Sequence, residues 1–116
     1  MKQYASQIHR LDALVQKWAC QQRSYVSGLP AQCGHHYVRR SEMLLRWDLK
    51  NIIPLTLDEH RLVHSGYMMI DIHNPFREQY LQNQKNKGLK AYLLENGLTV
   101  CEFIKNCESK IKSTLI

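Results

Sequence analysis

No C-x-x-C pair occurs among the four cysteines, Cys20, Cys33, Cys101 and Cys107, which excludes a four-cysteine zinc knuckle and a thioredoxin-like redox site. Free, partly buried thiols are the expectation for a reducing compartment. No apolar run approaches the roughly 20 residues that a membrane-spanning helix needs, and the opening MKQYASQIHRLD lacks the apolar segment of a secretory signal. These absences predict a cytoplasmic protein with no membrane partner. Internal repeats and low-complexity tracts are missing as well. Acidic residues are outnumbered: ten Asp and Glu stand against sixteen Lys and Arg, a formal charge of +6. Such a balance favours polyanionic partners through phosphate contacts and counterion release.

What is present is enough for one domain of 116 residues, small enough for a bound metal to add usefully to stability. From Gln3 to about Tyr25, Ile8, Leu11, Leu14, Val15, Trp18 and Ala19 recur at three- and four-residue gaps, the signature of an amphipathic helix. Ser27-Gly28-Leu29-Pro30 stops it. Ala31 to Val38 and Leu49 to Leu55 read as short strands of a hairpin with a long loop. Thr56-Leu57-Asp58-Glu59 fits a capping box, so a helix is expected from about Leu57 to Ser65, closed by Gly66. Glu59 is assigned to capping rather than to metal binding. Met68-Met69-Ile70 reads as an apolar linker or core plug. Asn74-Pro75 starts a helix to about Lys87, Gly88 ends or bends it, and a shorter helix follows over Leu89 to Glu95. Thr99-Val100-Cys101-Glu102 is a second capping box that opens the last helix. The fold class is thus α+β and mainly helical, with an N-terminal helix over 1–27, a strand-strand-helix core over 31–66 and a helical extension over 67–116.

Within that core, His60 and His64 form an i,i+4 pair on one helical face, a spacing that lets two imidazoles converge on one ion. His35 and His36 lie in the first strand, where alternation turns them to opposite faces. Both serve one site only if the strand twists or ends there.

Cys33-Gly34-His35-His36-Tyr37-Val38, then Asn51-Ile52-Ile53-Pro54-Leu55, then His60 and His64 together resemble the HNH, or ββα-metal, endonuclease core, with the HH…N…HxxxH spacing of colicin-type DNases. Leu11-Asp12-Ala13-Leu14-Val15, His36-Tyr37 and Arg46-Trp47-Asp48-Leu49-Lys50-Asn51 with Pro54 are similar to phage recombination nucleases of the NinG or Rap type, over roughly residues 11 to 66. Those phage proteins carry cysteine pairs for a structural zinc. Here Thr56 and Glu59 follow Pro54, and no pair precedes Gly34, so no structural zinc knuckle is expected and the flanking helices must brace the hairpin.

The resemblance implies a metal-dependent DNA endonuclease acting in phage or prophage recombination or junction processing. Phosphodiester hydrolysis needs an activated water, charge neutralisation and stabilisation of the departing 3′ oxygen. His36 is the expected general base, its unperturbed pKa of about 6.5 suiting proton transfer near neutrality. Asn51 is assigned an orienting part in catalysis, fixing the base's ring or tying the loop. His35, His60 and His64 are the expected ligands of one divalent ion; His64 is the least constrained, since some HNH proteins use one helix histidine. Mg²⁺ or Mn²⁺ suits the cell, whereas Zn²⁺ or Ni²⁺ suits imidazoles better. Arg39, Arg40, Arg46 and Lys50 are expected to hold DNA phosphates, branched and single-stranded DNA included. Trp47 is a core anchor against the first helix or a base-stacking group, and Lys85, Lys87, Lys90, Lys105, Lys110 and Lys112 are solvated faces or a wider footprint. Cleavage of both strands would favour a homodimer. The alternative function is a non-catalytic, metal-stabilised nucleic-acid-binding module.

Overall fold

Leu11, Val15 and Ala19 recur at four-residue intervals and are wholly shielded from solvent, which fixes the inner face of helix α1, Ala5–Cys20. The computed structural model describes residues 2–116. A single 3₁₀ turn, Lys2–Tyr4, leads into α1. Strand β1 is Cys33–His36 and strand β2 is Ile52–Leu55, and the two pair antiparallel with Cys33 opposite Leu55 and His36 opposite Ile52. Helices α2 (Leu57–His64), α3 (Pro75–Asn96) and α4 (Val100–Thr114) follow, so the architecture is α+β and mainly helical. No helix among the described residues is long and apolar enough to cross a membrane.

The sheet divides the interior. On one face Ile52 joins Leu11, Val15 and Ala19 of α1, Leu44 and Trp47 of the β1–β2 loop, and Phe103, Ile104 and Ile111 of α4. On the other, Cys33, Ile53 and Leu55 pack with Leu45, Ile72 and Leu81. Gly34 leaves no room for a side chain between β1 and its neighbours: a Cβ there would lie 2.6 Å from Ile52 Cγ2 and 3.0 Å from Ala19 Cβ. The free edge of β1 is closed by Gln16 of α1, whose Nε2 donates to the Gly34 carbonyl at 3.2 Å while its Oε1 accepts from the Gly34 amide at 2.8 Å. One side-chain amide thereby takes the place of a third strand.

Several boundaries differ from the sequence expectation. Helix α1 stops at Cys20 rather than near Tyr25, because Ser24 is buried and donates to Glu59 Oε1 at 2.5 Å, and the Tyr25 amide bonds Pro54 O at 2.9 Å. Tertiary partners win over the helix there. Leu49–Asn51 is a 3₁₀ turn and not strand, since Asp48 accepts from the Lys50 amide and tightens the chain before β2. Both capping boxes form, Thr56 with Glu59 and Thr99 with Glu102. Asn74 caps α3 through the Arg77 amide, and Gly88, at φ 76°, breaks its helical path as a bend. The linker plug is Ile72, 3% exposed, whereas Met69 stands 92% exposed.

Candidate metal centre and nucleic-acid cleft

A cleft of about 560 Å³ lies beside the Gln16-clasped edge of β1, lined by residues of α1 and α2 as well. His35, His36, His60 and His64 all line it, with Gln16, Arg39 and Arg40. Alternation does turn His35 and His36 to different faces, but β1 is an edge strand that ends at His36, and a cleft along that edge is reached from both faces.

His35, on the strand, meets His60 and His64 one helical turn apart on α2. The ring centroids of His35 lie 5.4 Å from each of the other two, and His60 and His64 are 4.4 Å apart. His60 Nε2 and His64 Nε2 are 2.9 Å apart, one donating to the other. One ring nitrogen from each of the three lies within 4.8 Å of the others. Tetrahedral coordination at Zn–N bonds of about 2.0–2.1 Å separates ligand nitrogens by about 3.3 Å. The three imidazoles are thus close enough together to be candidate ligands of one ion, once the hydrogen bond between the His60 and His64 rings is given up. Burial, followed by the positive neighbours His60, His64 and His36, brings the His35 pKa down to about 4, and burial with His64 also lowers that of His60. Neutral imidazole is the form that ligates metal. Neither acidic residue of the first turn joins the group: Asp58 pairs with Arg61 at the surface, and the Glu59 carboxylate accepts from Ser24 and the Thr56 amide.

His36 is held differently. Its Nε2 lies 2.8 Å from the backbone carbonyl oxygen of Arg46, and since a carbonyl only accepts, Nε2 carries the hydrogen. Nδ1 is left with its lone pair. Burial lowers the His36 pKa, partly offset by that hydrogen bond.

Asn51 is fully buried and ties the loop from both sides: Oδ1 accepts from the Val38 amide at 2.6 Å, and Nδ2 donates to Val38 O at 2.9 Å and Leu45 O at 3.1 Å. Of the two orienting parts anticipated for it, the structure displays the loop tie. Arg39 and Arg40 are exposed on the wall of the cleft. Neither Arg46, which is half-buried, nor Lys50, which is exposed elsewhere, lines that cleft. The Arg46 guanidinium is committed to Asp12 through two bonds, Nε–Oδ1 at 2.9 Å and Nη2–Oδ2 at 2.6 Å, because α1 presents a half-buried carboxylate opposite the loop. Lys50 lies over the Tyr80 ring at 4.3 Å, beside α3 and outside the cleft lining. Trp47 is the core anchor, 2% exposed, and its Nε1 donates to Asp12 Oδ1 at 2.9 Å.

Gln16 and Tyr37 also line the cleft, and sequence reasoning singled out neither as a site residue. The signal for Gln16 was faint: a polar residue directly beside the apolar stripe of α1. Comparison with protein-family models, with curated proteins and with solved structures finds no match.

Proposed function

We propose that this chain is a metal-dependent endonuclease that hydrolyses phosphodiester bonds in DNA on a ββα-metal, HNH-type core. The observation that carries this reading is the convergence of three imidazoles, ligand atoms within 4.8 Å of one another, in the same cleft as a fourth whose Nε2 is committed to a backbone carbonyl. The order β1, β2, α2 and the residues on it support the same core. So does the junction at Asp12: the two separate stretches that resemble phage recombination nucleases meet there, Asp12 accepting from both Arg46 and Trp47.

His35, His60 and His64 would hold the ion. The chemistry they would supply through it is charge neutralisation on the phosphate and on the departing 3′ oxygen. The remaining work falls to the chain. His36 Nδ1 accepts the proton of the attacking water, and its Nε2–H bond to Arg46 O keeps the ring in the tautomer that can do so. Arg39 and Arg40 hold non-bridging phosphate oxygens at the cleft wall. Asn51 keeps the loop that carries the Arg46 carbonyl in place. The all-nitrogen donor set supports zinc, nickel or another transition ion over magnesium.

The test is nicking of supercoiled plasmid and cutting of synthetic junctions with Mg²⁺, Mn²⁺, Ni²⁺ and Zn²⁺, each against chelator. Cutting with at least one ion, lost in chelator and in His36→Ala, is expected. DNA binding without cutting under every ion would move the assignment to a metal-stabilised binding module.

A further inference from the structure

Two shallow grooves adjoin the histidine cleft, and they differ in charge. The first shares Gln16 and Arg40 with the cleft and runs along α1, with Lys2 and His9 on its walls. The second shares Tyr37 and runs beside the first turns of α3; its one charged wall residue is Glu78, whose Oε1 accepts from Tyr37 Oη at 3.3 Å. A sugar-phosphate chain leaving the cleft meets the cations Lys2 and Arg40 and the His9 imidazole in one direction and the Glu78 carboxylate in the other.

Asp12 and Arg46 also face the α1 groove, but their mutual pairing at 2.6 Å largely cancels their charge. Lys2, His9 and Arg40 are left as its outward donors. Ala5 and Ala13 are exposed short side chains of the groove lining, with the larger Ile8 between them. From Ala5 to Gln16, at 1.5 Å per residue, the helix covers about 16 Å, roughly the axial length of five nucleotides in one duplex strand.

We infer that the groove along α1 carries the DNA strand away from the histidine cleft, with Lys2, His9 and Arg40 contacting backbone phosphates and reading no bases. This rests on the nuclease reading above and adds to it the path of the bound strand. Exit past α3 is disfavoured because Glu78 would face phosphate across the groove.

The experiment measures affinity for a fluorescein-labelled DNA duplex by anisotropy across a salt series, in chelator and again with Zn²⁺ in the His36→Ala background. The unsubstituted chain, Lys2→Gln/His9→Gln and Glu78→Gln are compared. Removing one cation that neutralises a phosphate should make the plot of log affinity against log salt shallower by about 0.9. The double variant removes one full cation, Lys2, and one imidazole donor, and should therefore show a slope reduced by about 0.9, weaker binding to unrelated sequences alike, and unchanged zinc affinity. Glu78→Gln should keep the original slope and affinity. An unaltered slope in the double variant, or tighter binding by Glu78→Gln alone, overturns the α1 path while plasmid nicking stands untouched. Absence of DNA binding by the unsubstituted chain under both conditions overturns the nuclease reading and the path together.

Discussion

The His36 ring is held by the backbone carbonyl of Arg46, 2.8 Å from Nε2, and the side chain of that same Arg46 is locked to Asp12 of α1. Backbone and side chain of one residue thus connect the first helix to the proposed base. A loop that is otherwise mostly turns acquires a fixed position from three anchors: Asp12 on α1, the buried Asn51 amide, and Trp47 in the core. The proposed base is as well placed as that loop is rigid.

His36→Ala should lower DNA cleavage by about 10²–10⁴-fold, the usual contribution of a positioned general base, while the far-ultraviolet circular dichroism spectrum and DNA affinity stay near those of the parent. Burial holds the His36 pKa below its ordinary 6.5. The neutral ring needed for proton acceptance therefore persists below that pH, and the acid limb of the pH-rate profile should fall below 6.5. A limb centred above 6.5 would count against His36 as the base.

Asp12→Asn should destabilise the fold by about 1–2 kcal/mol at neutral pH, allowing for the partial solvent exposure of the pair. Burial alone would raise the Asp12 pKa, but the bonds from Arg46 and Trp47 outweigh it and hold the carboxyl below its ordinary 3.8. A depressed carboxylate pKa gives stability that is complete above the unfolded value and lost as pH falls through the folded one. The gap between parent and variant in urea denaturation should accordingly be constant from neutrality to about pH 5 and close below about pH 4.

Local chemistry explains what was legible in the sequence. The two capping boxes, the Asn74-Pro75 start and the Gly88 bend are encoded within a few residues, and each forms where its residues stand. The convergence of His35 with His60 and His64 was legible because helical spacing and strand-helix order constrain it. Arg46 and Lys50 were misplaced for the opposite reason. A positive charge near a site in sequence says nothing about the carboxylate or the aromatic ring that folding brings to it, and Asp12 and Tyr80 come from other helices. Ser24 left its predicted helix for the same kind of partner, Glu59.

Zinc should raise the melting temperature of the parent, with about 2.7 kcal/mol of added stability at a hundredfold excess over its dissociation constant. His60→Ala should weaken zinc binding measured by calorimetry and abolish most of that shift. His64→Ala should do so less, because His64 is the more exposed of the helix pair. Equal zinc affinity in the parent and His60→Ala would remove the three-histidine centre.

Asn51→Ala leaves the Val38 amide and the Val38 and Leu45 carbonyls without the partners they have now. The expected loss is about 3 kcal/mol of unfolding free energy. Asn51→Asp keeps the acceptor for Val38 N–H but turns a carboxylate oxygen toward two carbonyls, so it should not restore stability. Recovery by aspartate in chemical denaturation would show that the acceptor alone matters.

Gln16 and Gly34 give the sharpest separation between holding the fold and placing the histidines. Gly34→Ala puts a methyl group 2.6 Å from Ile52 Cγ2 and 3.0 Å from Ala19 Cβ, between groups that are themselves buried. The chain must shift β1 or loosen its packing, a cost of roughly 1–3 kcal/mol. Gln16→Ala creates no clash; it removes only the two bonds that fix Gly34 beside His35. Its stability loss should be smaller, yet zinc affinity should still fall, because His35 is the next residue along the released strand edge. Gln16→Glu can accept from the Gly34 amide but cannot donate to its carbonyl, so it should recover zinc affinity only in part. If calorimetry instead finds parent-like zinc binding in Gln16→Ala alongside the stability loss, the clasp braces the sheet and does not position the metal ligands.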